Sequence, residues 1–302
     1  MSYHYSHEDN EIASSIEERI HAMRNYKAAL RSRRASEGSR DAEEIHDDEP
    51  QTLEESHAVD QQNNEPTRTV EGFRMEEEYT RIADIIRHRA KTHDKKRYLV
   101  AIAGVPGSGK TTTATAIAQR LNSGQTRIQT ELVSMDGFHL SRATLDQLPN
   151  REEAYIRRGA PWTFDAARFI AFVHQLRQWT DTFSDETIYA PAFHHETKDP
   201  VEDGVMISSD ASIVIIEGNY LLLDEPEWRD VARLVDYRVF VDTDLQEARD
   251  RVAKRHVSAG IEKTIEDGYR RVDSNDYLNA LTIRDKLIQP DMVVRSITEV
   301  SS

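Results

Sequence analysis

Two hydrophobic rhythms alternate between Phe73 and the end of the chain. Uninterrupted apolar runs at Tyr98–Gly104 (YLVAIAG) and Ile213–Ile216 (IVII) have the form of strands buried on both faces. Shorter runs predict strands at Glu131–Met135, Ile188–Phe193, Tyr237–Val241 and, more weakly, Met292–Val294. Between them apolar residues recur at helical spacing. This predicts helices over Lys110–Leu121, Asp165–Trp179, Pro226–Leu234, Leu245–Ala259 and Glu262–Val272. A further stripe of Tyr79, Ile82, Ile85 and Ile86 predicts a helix from near Phe73 to the basic cluster Lys95-Lys96-Arg97. Alternating strands and helices imply an α/β fold, a parallel sheet covered on both faces.

The rhythm is missing from most of residues 1–72. Asp41–Glu65 holds ten acidic residues, no Lys or Arg and few bulky apolar side chains, so a solvated, disordered extension is expected. Within it, Ile12, Ile16, Ile20, Met23 and Leu30 fall on one face of a helix over Glu11–Arg34, either a transient helix or one that docks on a protein partner. The expected organisation is an extension at 1–72 and one domain at 73–302.

Composition supports this division. Hydrophobic residues make up 38% of the chain and charged ones 31%, as in a chain part of which buries nothing. The formal net charge is −15, and the first 75 residues, with 17 acids against 9 bases, share the sign of the rest. Acidity of both parts argues against nucleic acid as a partner. The absence of cysteine excludes a disulfide framework, a thiolate zinc site and a cysteine nucleophile. No apolar run approaches the roughly 20 residues of a membrane span, and the N-terminus has neither a secretory nor a mitochondrial pattern, so a cytoplasmic location, with the nucleus as an alternative, is expected.

Chemistry enters at Gly104–Thr111. The segment GVPGSGKT satisfies G-x-x-x-x-G-K-[ST] and lies, as such a loop must, between an apolar strand and a helical pattern. Gly104, Gly107 and Gly109 let backbone N–H groups point at phosphates, to which the next helix presents its positive end. Lys110 should reach the terminal phosphates and the Thr111 hydroxyl Mg²⁺. With Val105, Pro106, Ser108 and Thr112 these residues form the expected ATP site.

The segment SMDGFH places Asp136 at the end of the second predicted strand, where it can take a proton from an attacking hydroxyl or hold the metal's water shell. A turn cap before Gly137 is the plainer alternative. Glu217 closes the apolar run SIVII and is the expected carboxylate for Mg²⁺, so Thr111, Asp136 and Glu217 form the candidate metal set. Arg251 and Arg255 are four apart on one predicted helical face and suit a lid over the β- and γ-phosphates; a solvated face paired with Glu247 and Asp250 is the alternative. No N-K-x-D segment is present for guanine selection.

With these residues in view the chain resembles the P-loop kinases that include pantothenate kinase, uridine kinase and phosphoribulokinase, with particular likeness to fungal and bacterial uridine-kinase-like and fructose-transport-kinase-like proteins. The matching segments are GVPGSGKTT, MDGFHL, RRGAPWTFD, APAFHHETKDP, IIEGNYLLLDEPEW, KRHVSAGIE and RVDSNDYLNA, spread over about residues 75–300. The resemblance implies a three-layer P-loop sheet with a lid, and transfer of the ATP γ-phosphate to a hydroxyl of a small metabolite. It implies Asp136 as catalytic base, assisted by Lys110, Arg251 and Arg255. The acceptor side would draw on His139, Arg158, Asp165, His195, Asn219 and Tyr220. His194 departs from the acid or serine expected before His195. Uridine or another nucleoside, pantothenate and a sugar are all open as acceptor, and a homodimer is compatible with the pattern. A P-loop ATPase or nucleotide-binding regulator acting on a protein partner is the rival reading.

Overall fold

The computed structural model describes residues 75–182, 184–194 and 196–297. The expectations for residues 1–72, including the helix at 11–34, and the role of His195 lie outside the described residues.

Five strands form one parallel sheet: β1 (Tyr98–Gly104), β2 (Thr130–Ser134), β5 (Ile213–Gly218), β6 (Tyr237–Asp242) and β7 (Met292–Arg295), in spatial order β2-β5-β1-β6-β7. Alternation along each strand assigns residues to two cores. Leu99, Ala101, Ala103, Val214 and Ile216 face one layer, with Phe138, Phe169, Phe172 and Trp228; Val100, Ile102, Ile213, Ile215 and Val239 face the other, with Ile82, Ile86, Ile117 and Leu121. Helices α1 (Met75–Thr92) and α2 (Lys110–Leu121) cover the second face, and α5 (Ala166–Thr180) covers the first. Short helices α3 (Arg142–Leu145) and α4 (Arg151–Ile156) precede α5. The three-layer α/β architecture expected from the pattern is therefore present.

Ile188–His194 (β3) is a strand, but it leaves the main sheet and pairs antiparallel with Asp199–Ile207 (β4), a strand the pattern did not reveal. The expected helix at Pro226–Leu234 is reduced to α6 (Val231–Leu234), because Pro226–Asp230 turns to bury Trp228 against Phe164, Phe169 and Tyr220. Three helices follow β6: α7 (Leu245–Ser258), α8 (Ile265–Ser274) and α9 (Asp276–Asp285).

One buried charge ties several loops together. Arg97, fully buried, donates to the carbonyls of Trp179 (2.9 Å), Thr182 (3.1 Å), Ser184 (2.9 Å) and Ser209 (2.9 Å), with its guanidinium 3.5 Å from the Trp179 ring centre. Burial lowers its pKa. No helix among the described residues is long and apolar enough to cross a membrane.

Candidate active site

The carboxyl ends of β2, β5 and β1 lie side by side, since Ser134 is in register with Glu217 and Ala103 with Gly218. In such sheets the ligand crevice lies outside these ends. From β1 the chain enters the loop Gly104–Lys110, where Gly107 and Gly109 adopt φ of 83° and 85°, the left-handed region in which a side chain is strained. Gly107 is also in close contact, because a Cβ there would stand 2.4 Å from the Ala248 carbonyl oxygen. Helix α2 begins at Lys110 without a side-chain cap, leaving its first N–H groups to the loop's interior.

Below this loop the Thr111 hydroxyl donates to Glu217 Oε2 at 3.1 Å. Glu217 is buried, and a buried carboxylate with one neutral partner is costly without a cation. Two oxygen ligands of this hardness, beside Lys110, fit Mg²⁺, and the glycine cradle fits the phosphates of ATP.

Asp136 lies in the 3-10 turn Met135–Phe138 that follows β2, its N–H accepted by Ser134 Oγ at 3.2 Å. The turn presses on β3, so that a Cβ on Gly137 would lie 2.0 Å from the Pro191 carbonyl oxygen. His139 Nδ1 is 2.8 Å from the Asp136 carbonyl oxygen, which fixes Nδ1 as donor, and its ring packs between Phe164 (3.9 Å between centroids) and Phe193 (4.9 Å). His139 is thus built into the acidic turn.

The other candidates are distributed unevenly. Arg158 donates to the Leu140 carbonyl (3.0 Å) and lies 3.5 Å from Asp199, which also accepts the Arg142 N–H (2.7 Å); burial, opposed by Asp199, lowers the Arg158 pKa. Asp165 caps α5, accepting the Arg168 N–H at 3.0 Å. Tyr220 is buried, donates its hydroxyl to the Gly159 carbonyl, and is held neutral by a pKa that burial raises well above the usual value. Asn219 Oδ1 is buried without a hydrogen-bond partner in the structure.

Arg251 donates to the Gly107 carbonyl (3.3 Å), Ser296 Oγ (2.9 Å) and Glu247 Oε1 (2.6 Å), so it sits on the phosphate loop and also makes the ion pair of the plainer reading. Arg255 is exposed, and among the described residues no hydrogen bond or ion pair joins it to the loop; its charge acts instead on His256 and Asp276. Sequence reasoning missed Ser296, Asp199 and the packing role of Phe164 and Phe193. Only Asp199 and the two phenylalanines lie in segments whose letters stood out.

A strand, glycine loop and helix above a paired hydroxyl and carboxylate define a P-loop nucleotide site. Residues 99–298 match the model of the Phosphoribulokinase / Uridine kinase family, and the chain belongs to that family: it is a P-loop kinase that uses ATP. A Schizosaccharomyces pombe protein named "Putative uridine kinase C227.14" is 36% identical over 222 residues, covering 74% of this chain and 90% of that one. The "ATP-dependent kinase-like protein notR'" of Aspergillus versicolor is 41% identical over 168 residues, 55% of this chain and 97% of that one. The crystal structure of a "putative fructose transport system kinase" from Silicibacter sp. TM1040 superposes with a TM-score of 0.62 at 27% identity, covering 72% of this chain and 98% of that one.

Proposed function

We propose that the chain transfers the γ-phosphoryl group of ATP to a hydroxyl of a small metabolite, with a nucleoside such as uridine ranked first and a sugar or pantothenate-like alcohol next. The observation that carries this reading is the acidic turn: Asp136 follows Ser134, whose register partner Glu217 holds Thr111 below the phosphate loop. A carboxylate at that strand end serves transfer to a hydroxyl. The names of the Schizosaccharomyces pombe and Silicibacter proteins refer to uridine and to fructose transport, and both compounds are small polyols.

In this mechanism the acceptor oxygen attacks the γ-phosphorus, the bond from that phosphorus to the ADP oxygen breaks, and the acceptor proton passes to Asp136. Lys110 and the loop N–H groups neutralise the phosphates, and Arg251 holds the loop at Gly107. Thr111 and Glu217, with Asp136 at the edge of the set, would hold Mg²⁺, which supplies charge neutralisation across the transferred group. The segment from Arg157 to Asp165 and the β3–β4 hairpin would supply the acceptor side, with Tyr220 holding the segment at the Gly159 carbonyl and the buried Asn219 Oδ1 free to take a donor from the acceptor.

The test is ADP release and product mass with Mg·ATP and a panel of nucleosides, sugars and vitamin precursors. One acceptor should stimulate ADP release and emerge heavier by a phosphoryl group, and Lys110→Ala should abolish both. Turnover indifferent to every acceptor would sink the proposal in favour of a P-loop ATPase acting with a protein partner.

A further inference from the structure

Arg157 is the neighbour of Arg158 in the acceptor-side segment, yet its side chain points to a different part of the fold. Its Nη1 donates to the Ser274 carbonyl (2.9 Å) and its Nη2 to Asn279 Oδ1 (3.1 Å), at the junction of α8 and α9. The junction answers: Asn275 Nδ2 donates to the Arg158 carbonyl at 2.8 Å. Asn275 and Asn279 are both buried, and Asn279 Nδ2 lies 3.3 Å from Asn275 Oδ1. A buried amide pair that satisfies a guanidinium and a carbonyl from another element is a built contact, since each group would otherwise be desolvated and unpaired.

The far end of the same helical unit rests on the phosphate loop. Helix α7 brings the Ala248 carbonyl against Gly107 and places Arg251 on the Gly107 carbonyl. α7 is locked to α8 by the Arg249–Asp273 ion pair (2.6 Å) and by Gly268, where a Cβ would come 2.9 Å from the Ala253 carbonyl oxygen. His256 of α7 lies beside the start of α9, its Nε2 3.9 Å from Asp276 Oδ2. A continuous packed path therefore runs from Gly107 through α7 and the α8–α9 junction to Arg157.

We propose that Arg157 is a positioning residue that transmits nucleotide occupancy of the phosphate loop to the acceptor-side segment, so that residues 157–164 are held more tightly for catalysis when Mg·ATP is bound. The proposal rests on the nucleotide reading of the P-loop and goes beyond it. Nucleotide that pulls Gly107 onto its phosphates shifts α7, the rigid helical unit carries the shift, and the two-pronged Arg157 contact delivers it. Coupling of this kind is commonly worth about 5- to 150-fold in binding or opening equilibria.

The experiment is amide hydrogen exchange of the full chain, with and without Mg²⁺ and the non-hydrolysed analogue AMP-PNP, for wild type, Arg157→Gln and Arg157→Lys. Nucleotide should slow exchange in the peptide covering 104–111 in all three proteins. In wild type it should also slow exchange at 157–164 by about tenfold; Arg157→Gln should lose that second effect, and Arg157→Lys, which keeps charge but only one prong, should retain part of it. A purely structural role would raise exchange at 157–164 equally with and without nucleotide, which would overturn the proposal. So would protection of 104–111 without any change at 157–164 in wild type. Absence of protection at 104–111 itself would overturn the nucleotide reading and this proposal together. Arg157→Lys carries the comparison if Arg157→Gln does not fold.

Discussion

Replacing Gly107 with alanine perturbs the phosphate loop in two separable ways. At φ of 83° an alanine is in the left-handed region, which costs about 1–2 kcal/mol. Its Cβ would also stand 2.4 Å from the Ala248 carbonyl oxygen and 2.8 Å from Val252 Cγ2, so α7 must recede or the loop must open. Overpacking of that kind adds about 1–3 kcal/mol. Gly124 separates the two effects, because its φ is 75° while a Cβ there meets nothing within 4 Å. Gly124→Ala should therefore show strain alone, a fall in melting temperature of about 2–8 °C with AMP-PNP affinity unchanged. Gly107→Ala should melt lower than Gly124→Ala and bind Mg·AMP-PNP at least about tenfold more weakly, corresponding to about 1.4 kcal/mol expressed at the site. Calorimetric titration and thermal melts measure both quantities. Affinity within about threefold of wild type, together with a melt no lower than that of Gly124→Ala, would refute the packing of α7 on the loop.

Arg97→Met strands four carbonyls and should lower stability by about 3–5 kcal/mol, read as a shifted denaturant midpoint; a loss below about 1 kcal/mol would show that water replaces the guanidinium freely. Tyr220→Phe removes the hydroxyl that donates to the Gly159 carbonyl and should cost about 1 kcal/mol, or 2–4 °C in melting temperature, with no change in AMP-PNP affinity. Arg238 holds the Asp291 pKa below its ordinary value, so the stability from this pair is present above about pH 4 and is lost as pH falls through the native pKa. Both side chains are about a third exposed, so the effect is about 0.5–1 kcal/mol; Asp291→Asn should be less stable than wild type at pH 7, and the difference should shrink steadily as pH is lowered below about 4 in urea titrations.

How much the sequence revealed depended on how local each cause was. β1, the phosphate loop and α2 were legible because a buried strand, a glycine motif and a helical stripe each declare themselves within a few residues, and the helix Lys110–Leu121 has the expected bounds. β4 was not legible, since Pro200, Glu202 and Asp203 sit on an exposed hairpin with neither buried runs nor strict alternation. The Pro226–Leu234 helix was overestimated because the aromatic cluster around Trp228 overrides local periodicity. Asn275, in the segment RVDSNDYLNA, lies at the boundary between two helices, a position that polar residues suit and that local periodicity does not mark. Contacts such as Arg157 with Asn279, or Arg251 with Ser296, join residues 122 and 45 positions apart and have no local signature.

Asp136→Asn tests the central reading most directly. It keeps the size and turn geometry of the side chain but removes the proton acceptor. Melting temperature should stay near wild type and AMP-PNP should still bind, with any loss of affinity small beside the effect on transfer, while acceptor-stimulated phosphoryl transfer, followed with labelled γ-phosphate, should fall by at least about 100-fold, the usual scale of general base catalysis. Transfer to the acceptor at an undiminished rate, with the nucleotide still bound, would contradict the assignment of Asp136 and with it the proposed mechanism.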